Sequence, residues 1–170
     1  MKYGIVVDIG ATNLRVAIVD ENHNIIEKSK VNLDKNKDIA FNIYSEYKKI
    51  DKNYKIEKVV VGIPGTINPK TNLIRDLPNI GIKEYDLYSA LYKLFKTEII
   101  IVNDASLAAV GEYSKHKDEK IFQYITISSG IGGGLIINGD LFVGNSRFEQ
   151  EVGRMIVKDD KFENLCSGNA

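Results

Sequence analysis

The sequence predicts an α/β protein: a mixed sheet flanked by helices in a first lobe, followed by a second lobe that is incomplete. Three observations predict it. A strand–glycine turn–strand pattern occurs twice, once around Asp8 and again around Ser128. Short β-branched runs alternate with stretches of helical spacing. The helical stretches lie mostly before residue 116, which divides the chain into lobes at 1–116 and 117–170, with the lysine-rich Lys115–Lys120 as boundary.

Each element follows from its local pattern. Lys2 to Asp8 carries the run Ile5-Val6-Val7 and reads as a buried strand. Asp8 to Asn13 is a turn with Gly10 inside it, and Leu14 to Asp20 alternates as a second strand. Ile25 to Val31 returns after the hairpin turn Glu21-Asn22-His23-Asn24. Asp38 to Asp51 has Ile39, Ile43, Tyr47 and Ile50 on one helical face. Lys58 to Ile63 is a strand stopped by Pro64-Gly65, and Thr66 to Lys83, broken by Pro69, Pro78 and Gly81, is expected to be an irregular loop. Asp86 caps a helix running to Phe95, Glu98 to Val102 is a strand, and Asp104 opens a helix to about Lys115. In the second lobe Phe122 to Ser128 is a strand, Ser129 to Gly134 a turn, and Leu135 to Ile137 a strand ending in the hairpin signal Asn138-Gly139. Leu141 to Val143 and Val152 to Val157 complete the strands, and Ser167 is expected to start a helix.

Bulk properties narrow the function classes. Lys plus Arg number 23 and Asp plus Glu 23 in 170 residues, so no net field favours nucleic acid or an anionic membrane. No apolar run approaches the roughly 20 residues of a membrane span. With the first strand beginning at Lys2, neither a signal peptide nor an N-terminal DNA-binding module is expected. Cys166 is the single cysteine, which excludes an internal disulfide. The expected location is the cytoplasm.

Three places carry chemistry. In Asp8-Ile9-Gly10-Ala11-Thr12-Asn13, turn amides and the Thr12 hydroxyl can hold an anion, and Asp8 can hold Mg²⁺ through water. A plain hairpin turn fits those residues equally well. In Ser128-Ser129-Gly130-Ile131-Gly132-Gly133-Gly134, four glycines in five positions are entropically costly, and close approach to a phosphate is one reason for them. No Gly-Lys-Ser/Thr follows and the next element is a strand, so neither a Walker loop nor a dinucleotide fingerprint fits. A merely flexible glycine loop is the other reading. Asn103-Asp104 stands where a strand meets a helix: Asp104 is either an N-cap or a base for a substrate hydroxyl, and a helix N-terminus favours its negative charge. Glu151 and Glu163 match vicinal hydroxyls, but only in company with the rest.

Five ordered segments resemble the ROK family of sugar kinases and sugar-responsive repressors, within the actin-like ATPase superfamily. They are Asp8 to Arg15, Gly62-Ile63-Pro64-Gly65-Thr66, Leu77-Pro78-Asn79, Val102-Asn103-Asp104-Ala105 with Gly111-Glu112, and Ser129 to Gly134 through Glu151-Val152-Gly153. The resemblance implies a ribonuclease-H-like fold whose cleft receives ATP with Mg²⁺ and a sugar. Carried over position by position, it puts phosphate contacts on Gly10, Thr12, Asn13, Ser129, Gly130 and Gly132, with Asp8 near the metal. It puts sugar contacts on Gly65, Asn79, Asn103, Glu151 and Glu163, makes Asp104 the catalytic base, and implies a homodimer. The reaction implied is ATP-dependent phosphorylation of a hexose or N-acetylhexosamine hydroxyl, the 6-OH of glucose first. The other reading is a non-catalytic sugar-binding regulator.

The departures from the family pattern also speak. Ala11 replaces a usual glycine, and Ser128-Ser129 replaces Gly-Thr but keeps the hydroxyl. Arg154 stands where the family has a zinc-binding histidine, and the family's cysteine cluster is missing with it, so no zinc is expected. Arg154 can donate to a sugar hydroxyl or pair with Glu151. Family members continue well past the position of Ala170 with the adenine pocket, which leaves open whether these residues turn over alone.

Overall fold

The run Ile5-Val6-Val7 places Ile5, Val7 and Ile9 on one face of strand β1 (Tyr3–Ile9), and all three are buried. The computed structural model describes residues 2–10, 12–68, 71, 73–77, 81–144 and 151–170. Contacts divide the chain into two compact units, Met1–Asp104 and Ala105–Ala170.

In the first unit, β1 is flanked on one side by antiparallel β2 (Asn13–Asp20), which continues to β3 (Ile25–Asn32). On its other side lie β4 (Ile56–Ile63) and then β8 (Glu98–Asn103), both parallel to their neighbours, giving the order β3-β2-β1-β4-β8. The parallel strands need crossovers, and helices α1 (Ile39–Ile50) and α2 (Leu87–Phe95) belong to them. Asp38 caps α1 by accepting from the Phe41 amide at 3.0 Å, and Asp86 caps α2 from the Ser89 amide at 2.9 Å. That amide, followed by the Ser89 hydroxyl, holds the Asp86 carboxyl below the usual carboxylate range. Ile39, Ile43 and Tyr47 of α1 and Leu87 and Leu91 of α2 complete the core over this sheet. Ile43 has no exposed surface, so Ile43→Ala is expected to cost about 2–5 kcal/mol, read as a lower urea midpoint with unchanged m.

One expectation in this unit is overturned. The stretch from Thr66 is not an irregular loop: β5 (Thr66–Ile67), β6 (Ile74–Leu77) and β7 (Ile82–Tyr85) form a small antiparallel sheet. Ile67, Ile74 and Leu77 are buried in the core, and strands this short leave no period for a linear reading to find.

The second unit holds most of α3 (Asp104–Tyr113), then β9 (Ile121–Ile127), β10 (Ile131–Ile137) and β11 (Asp140–Leu141) in the order β11-β10-β9. This repeats the β3-β2-β1 meander of the first unit. Asn138 and Gly139 both have positive φ, 51° and 92°, as a type I′ hairpin turn requires.

Here too the boundaries differ from expectation. Strand β10 starts at Ile131, so Gly132, Gly133 and Gly134 lie in a strand and not in the turn. Their small size has a packing cause. A Cβ on Gly132 would come within 2.8 Å of the Ala105 Cβ, and one on Gly134 would collide with the Ala109 Cβ and reach 3.2 Å from Ser106 Cα. The sheet and α3 thus touch almost backbone to backbone. For the same reason α3 groups with the second unit, where the spacing placed it in the first.

Val152 onward is also not a long strand. Val152–Arg154 is one 3-10 turn, β12 (Ile156–Val157) and β13 (Asp160–Lys161) form a tight hairpin, and α4 (Phe162–Cys166) follows. The helix expected to begin at Ser167 is instead finished there, with the Ser167 amide bonded to the Glu163 carbonyl at 3.0 Å. Among the described residues no helix is long and apolar enough to cross a membrane.

Candidate active site

Three parallel strands bring the first group of predicted residues together. Register pairs Asp8 of β1 with Gly62 of β4, Gly62 with Val102 of β8, and Ile63 with Asn103. Asp8, the Pro64-Gly65 turn and Asn103-Asp104 therefore all stand at the carboxyl ends of adjacent parallel strands, the end where open α/β sheets bind ligands. At a strand spacing of about 4.8 Å, Asp8 is roughly 10 Å across the sheet from β8. Asn103 donates its side-chain amide to the Gly65 carbonyl at 3.3 Å, which ties two predicted sugar positions to each other. Asp104 is the first residue of α3, an acid in the first turn where the macrodipole favours negative charge.

The first turn is tightly closed. The Gly10 amide donates to the Asn13 carbonyl at 2.8 Å, and the Leu33 amide to the Thr12 carbonyl at 2.9 Å. The Gly10 N–H therefore faces the turn itself, and Gly10 can meet a phosphate only through the close approach its missing side chain allows. The Thr12 hydroxyl accepts from the Asn13 side-chain amide at 2.9 Å, so its own proton is left to donate. Asp8 is ion-paired with Arg15, which register places directly opposite it on β2. The two side chains are 47% and 52% exposed, so the pair contributes under about 1 kcal/mol. Arg15 has no predicted role: it lies two residues beyond the turn read as Asp8 to Asn13, and only the register of β1 with β2 places it opposite Asp8.

In the second unit the turn proper is Ser128-Ser129-Gly130, closed by the Ser128 amide on the Gly130 carbonyl at 2.8 Å, with Ser129 exposed at its tip. Glu163 reaches this turn: its Oε2 lies 3.5 Å from where a Cβ on Gly130 would stand and 3.2 Å from the same point on Gly153. Arg154 pairs with Glu151, Nε to Oε2 at 2.9 Å across one turn. Of the two roles the sequence left open for Arg154, this geometry realises the pair.

Asn79 lies outside the described residues, as do Ala11, Glu149 and Gln150. Among the described residues no group of three or more His, Cys, Asp or Glu side chains is gathered to hold a metal. A lone half-exposed carboxylate such as Asp8 fits an ion that keeps its waters and takes other ligands from phosphates, which is the habit of Mg²⁺.

The ROK family model matches residues 4–170, nearly the whole chain. The chain belongs to the ROK family. Among ROK relatives, a protein named glucokinase from Pyrobaculum calidifontis is 28% identical over 94% of this chain and 51% of its own length. A xylose repressor from Bacillus spizizenii is 29% identical over 91% of this chain and 42% of its own. The crystal structure of a ROK family glucokinase from Streptomyces griseus in complex with glucose and AMPPNP superposes with a TM-score of 0.84, is 26% identical, and covers 99% of this chain and 58% of that one. The fold is accordingly the ribonuclease-H-like one of the actin-like ATPases. The chain spans about half the length of the curated relatives it matches.

Proposed function

We propose that this chain carries the sugar site and both phosphate turns of an ATP-dependent sugar kinase acting on a hexose or N-acetylhexosamine, with the 6-OH of glucose as the first acceptor to try. The observation that carries this reading is the convergence of Asp8, Pro64-Gly65 and Asn103-Asp104 at the carboxyl ends of three neighbouring parallel strands.

Asn103, Gly65, Asn79, Glu151 and Glu163 hold the sugar hydroxyls, with Arg154 keeping the Glu151 carboxylate in place. Asp104 accepts a hydrogen bond from the reacting hydroxyl and takes its proton as the oxygen bonds to the γ-phosphorus and the bond to the β-γ bridging oxygen breaks. The loose transition state asks mainly for such positioning. Thr12, Asn13 and Ser129 donate to the phosphates, and the small Gly10, Gly130 and Gly132 let backbone come close. Mg²⁺, when bound, neutralises charge on the β- and γ-phosphates. Asp8 would hold it through the ion's own waters, its carboxylate being half exposed and paired only across the surface with Arg15. No zinc is required in this reading. The working form is a cytoplasmic homodimer, with no membrane or nucleic-acid partner.

Calorimetry with glucose and separately with Mg-ATP tests the assignment: both are expected to bind. Glucose binding without nucleotide binding would instead favour a sugar-responsive regulator, the reading that the similarity to a xylose repressor supports. Binding of neither overturns both.

A further inference from the structure

The segment Glu163 to Gly168 does more than end the second unit. Its far end lies on the second glycine turn: the Gly168 amide donates to the Ser128 carbonyl at 2.6 Å. That approach depends on the absence of a side chain, because a Cβ on Gly168 would stand 2.9 Å from the same carbonyl oxygen and 3.4 Å from its carbon. Real Cβ atoms do not sit that close to a backbone oxygen. The φ of Gly168 is not in the left-handed region, so the need for glycine here is one of space alone.

The near end of the segment touches the other side of the same turn through Glu163, whose Oε2 lies against Gly130 and Gly153. A Cβ on Gly153 would collide with the Ile131 carbonyl and come within 3.2 Å of the Glu163 Cβ, so Gly153 is the slot that admits Glu163. The start of α4 is set independently. The Phe162 amide donates to the Met155 carbonyl at 2.8 Å, closing the β12–β13 hairpin, and Asp160 accepts from the Lys161 amide at 2.7 Å and the Asn164 side chain at 2.8 Å. One short segment therefore bonds Ser128 at one end and brings the Glu163 carboxylate beside Gly130 at the other, with Ser129 exposed between them.

We infer that Glu163–Gly168 is a strap that couples sugar binding to phosphate binding, with Gly168 as its positioning residue. The strap rests on the reading above, in which Glu163 meets the sugar and Ser129-Gly130 the phosphate. A sugar that orders Glu163 then also orders the turn, so the second ligand meets less disorder and binds more tightly.

Two measurements on this chain test it, each with Gly168→Ala and Gly168→Val. Amide hydrogen exchange needs no ligand. The Gly168 amide is expected to be protected in the parent chain, and exchange at Ser128 to Gly130 to quicken at least several-fold in Gly168→Ala while α3 is unchanged. A Gly168 amide exchanging at the unstructured rate overturns the strap. Calorimetry then reads coupling: AMPPNP with Mg²⁺ is expected to tighten glucose several-fold in the parent chain, and this factor to fall toward one in Gly168→Val, with glucose affinity of the nucleotide-free protein within about twofold. A destabilised but otherwise ordinary protein would lose affinity without losing coupling, and that result, or an unchanged factor, also overturns the proposal. If the parent chain binds no glucose at all, the kinase reading and the coupling both fail, while the exchange data still decide whether the strap exists.

Discussion

Asp104→Asn is expected to lower sugar-dependent ADP release by about 10²- to 10⁴-fold, the range that a positioned general base contributes. The amide keeps the shape and the hydrogen bond to the sugar hydroxyl but cannot take its proton. Glucose affinity by calorimetry should therefore stay within about threefold, placing the loss in kcat and not in KM. The comparison belongs in whichever length of polypeptide shows parent turnover. A variant that keeps its rate removes Asp104 from the mechanism and returns it to the simpler role of an acid at the start of α3.

Gly134→Val should have the largest effect on stability. Its Cβ would overlap that of Ala109 and press on Ser106 Cα, and two further methyl groups must find room between β10 and α3. Overpacking of this kind costs typically 1–3 kcal/mol, more where backbone is the obstacle. The melting temperature should fall by several degrees or more, with Gly134→Ala intermediate. Gly111 supplies the control on the same helix. A Cβ there has nothing within 4 Å, so Gly111→Ala should raise stability by up to about 1 kcal/mol through helix propensity. If Gly134→Val and Gly111→Ala behaved alike, backbone-close packing would not be the reason for the glycines of β10.

Those glycines show where a linear reading loses its grip. Their cost was visible in the sequence, read there as a phosphate against the backbone or a merely flexible loop; the structure leaves two reasons, a phosphate against the backbone or a helix against the strand. Gly130, in the turn, remains open to the first. Gly132 and Gly134 satisfy the second whatever they also do. The Thr66–Tyr85 sheet was missed for a related reason: its strands have two to four residues, too few for a period to declare itself between prolines and a glycine. The hairpin at Ile156–Lys161 has two-residue strands, and its turn begins at Lys158 with φ 58°, a conformation that no glycine there announces.

The sequence by itself determined the order and type of the long elements, the Asp86 cap of α2, the Asn138-Gly139 turn and the motifs that place the chain in its family. Each of these is written within a few neighbouring residues as spacing, a side chain beside its own backbone, or a glycine where φ must be positive. Tertiary structure alone decided that α3 lies within a Cβ's width of β10, that Asn103 holds the Gly65 carbonyl, and that Gly168 closes on Ser128. These depend on distances between segments tens of residues apart along the chain. A local pattern carries no measure of such distances, and only packing of the whole unit fixes them.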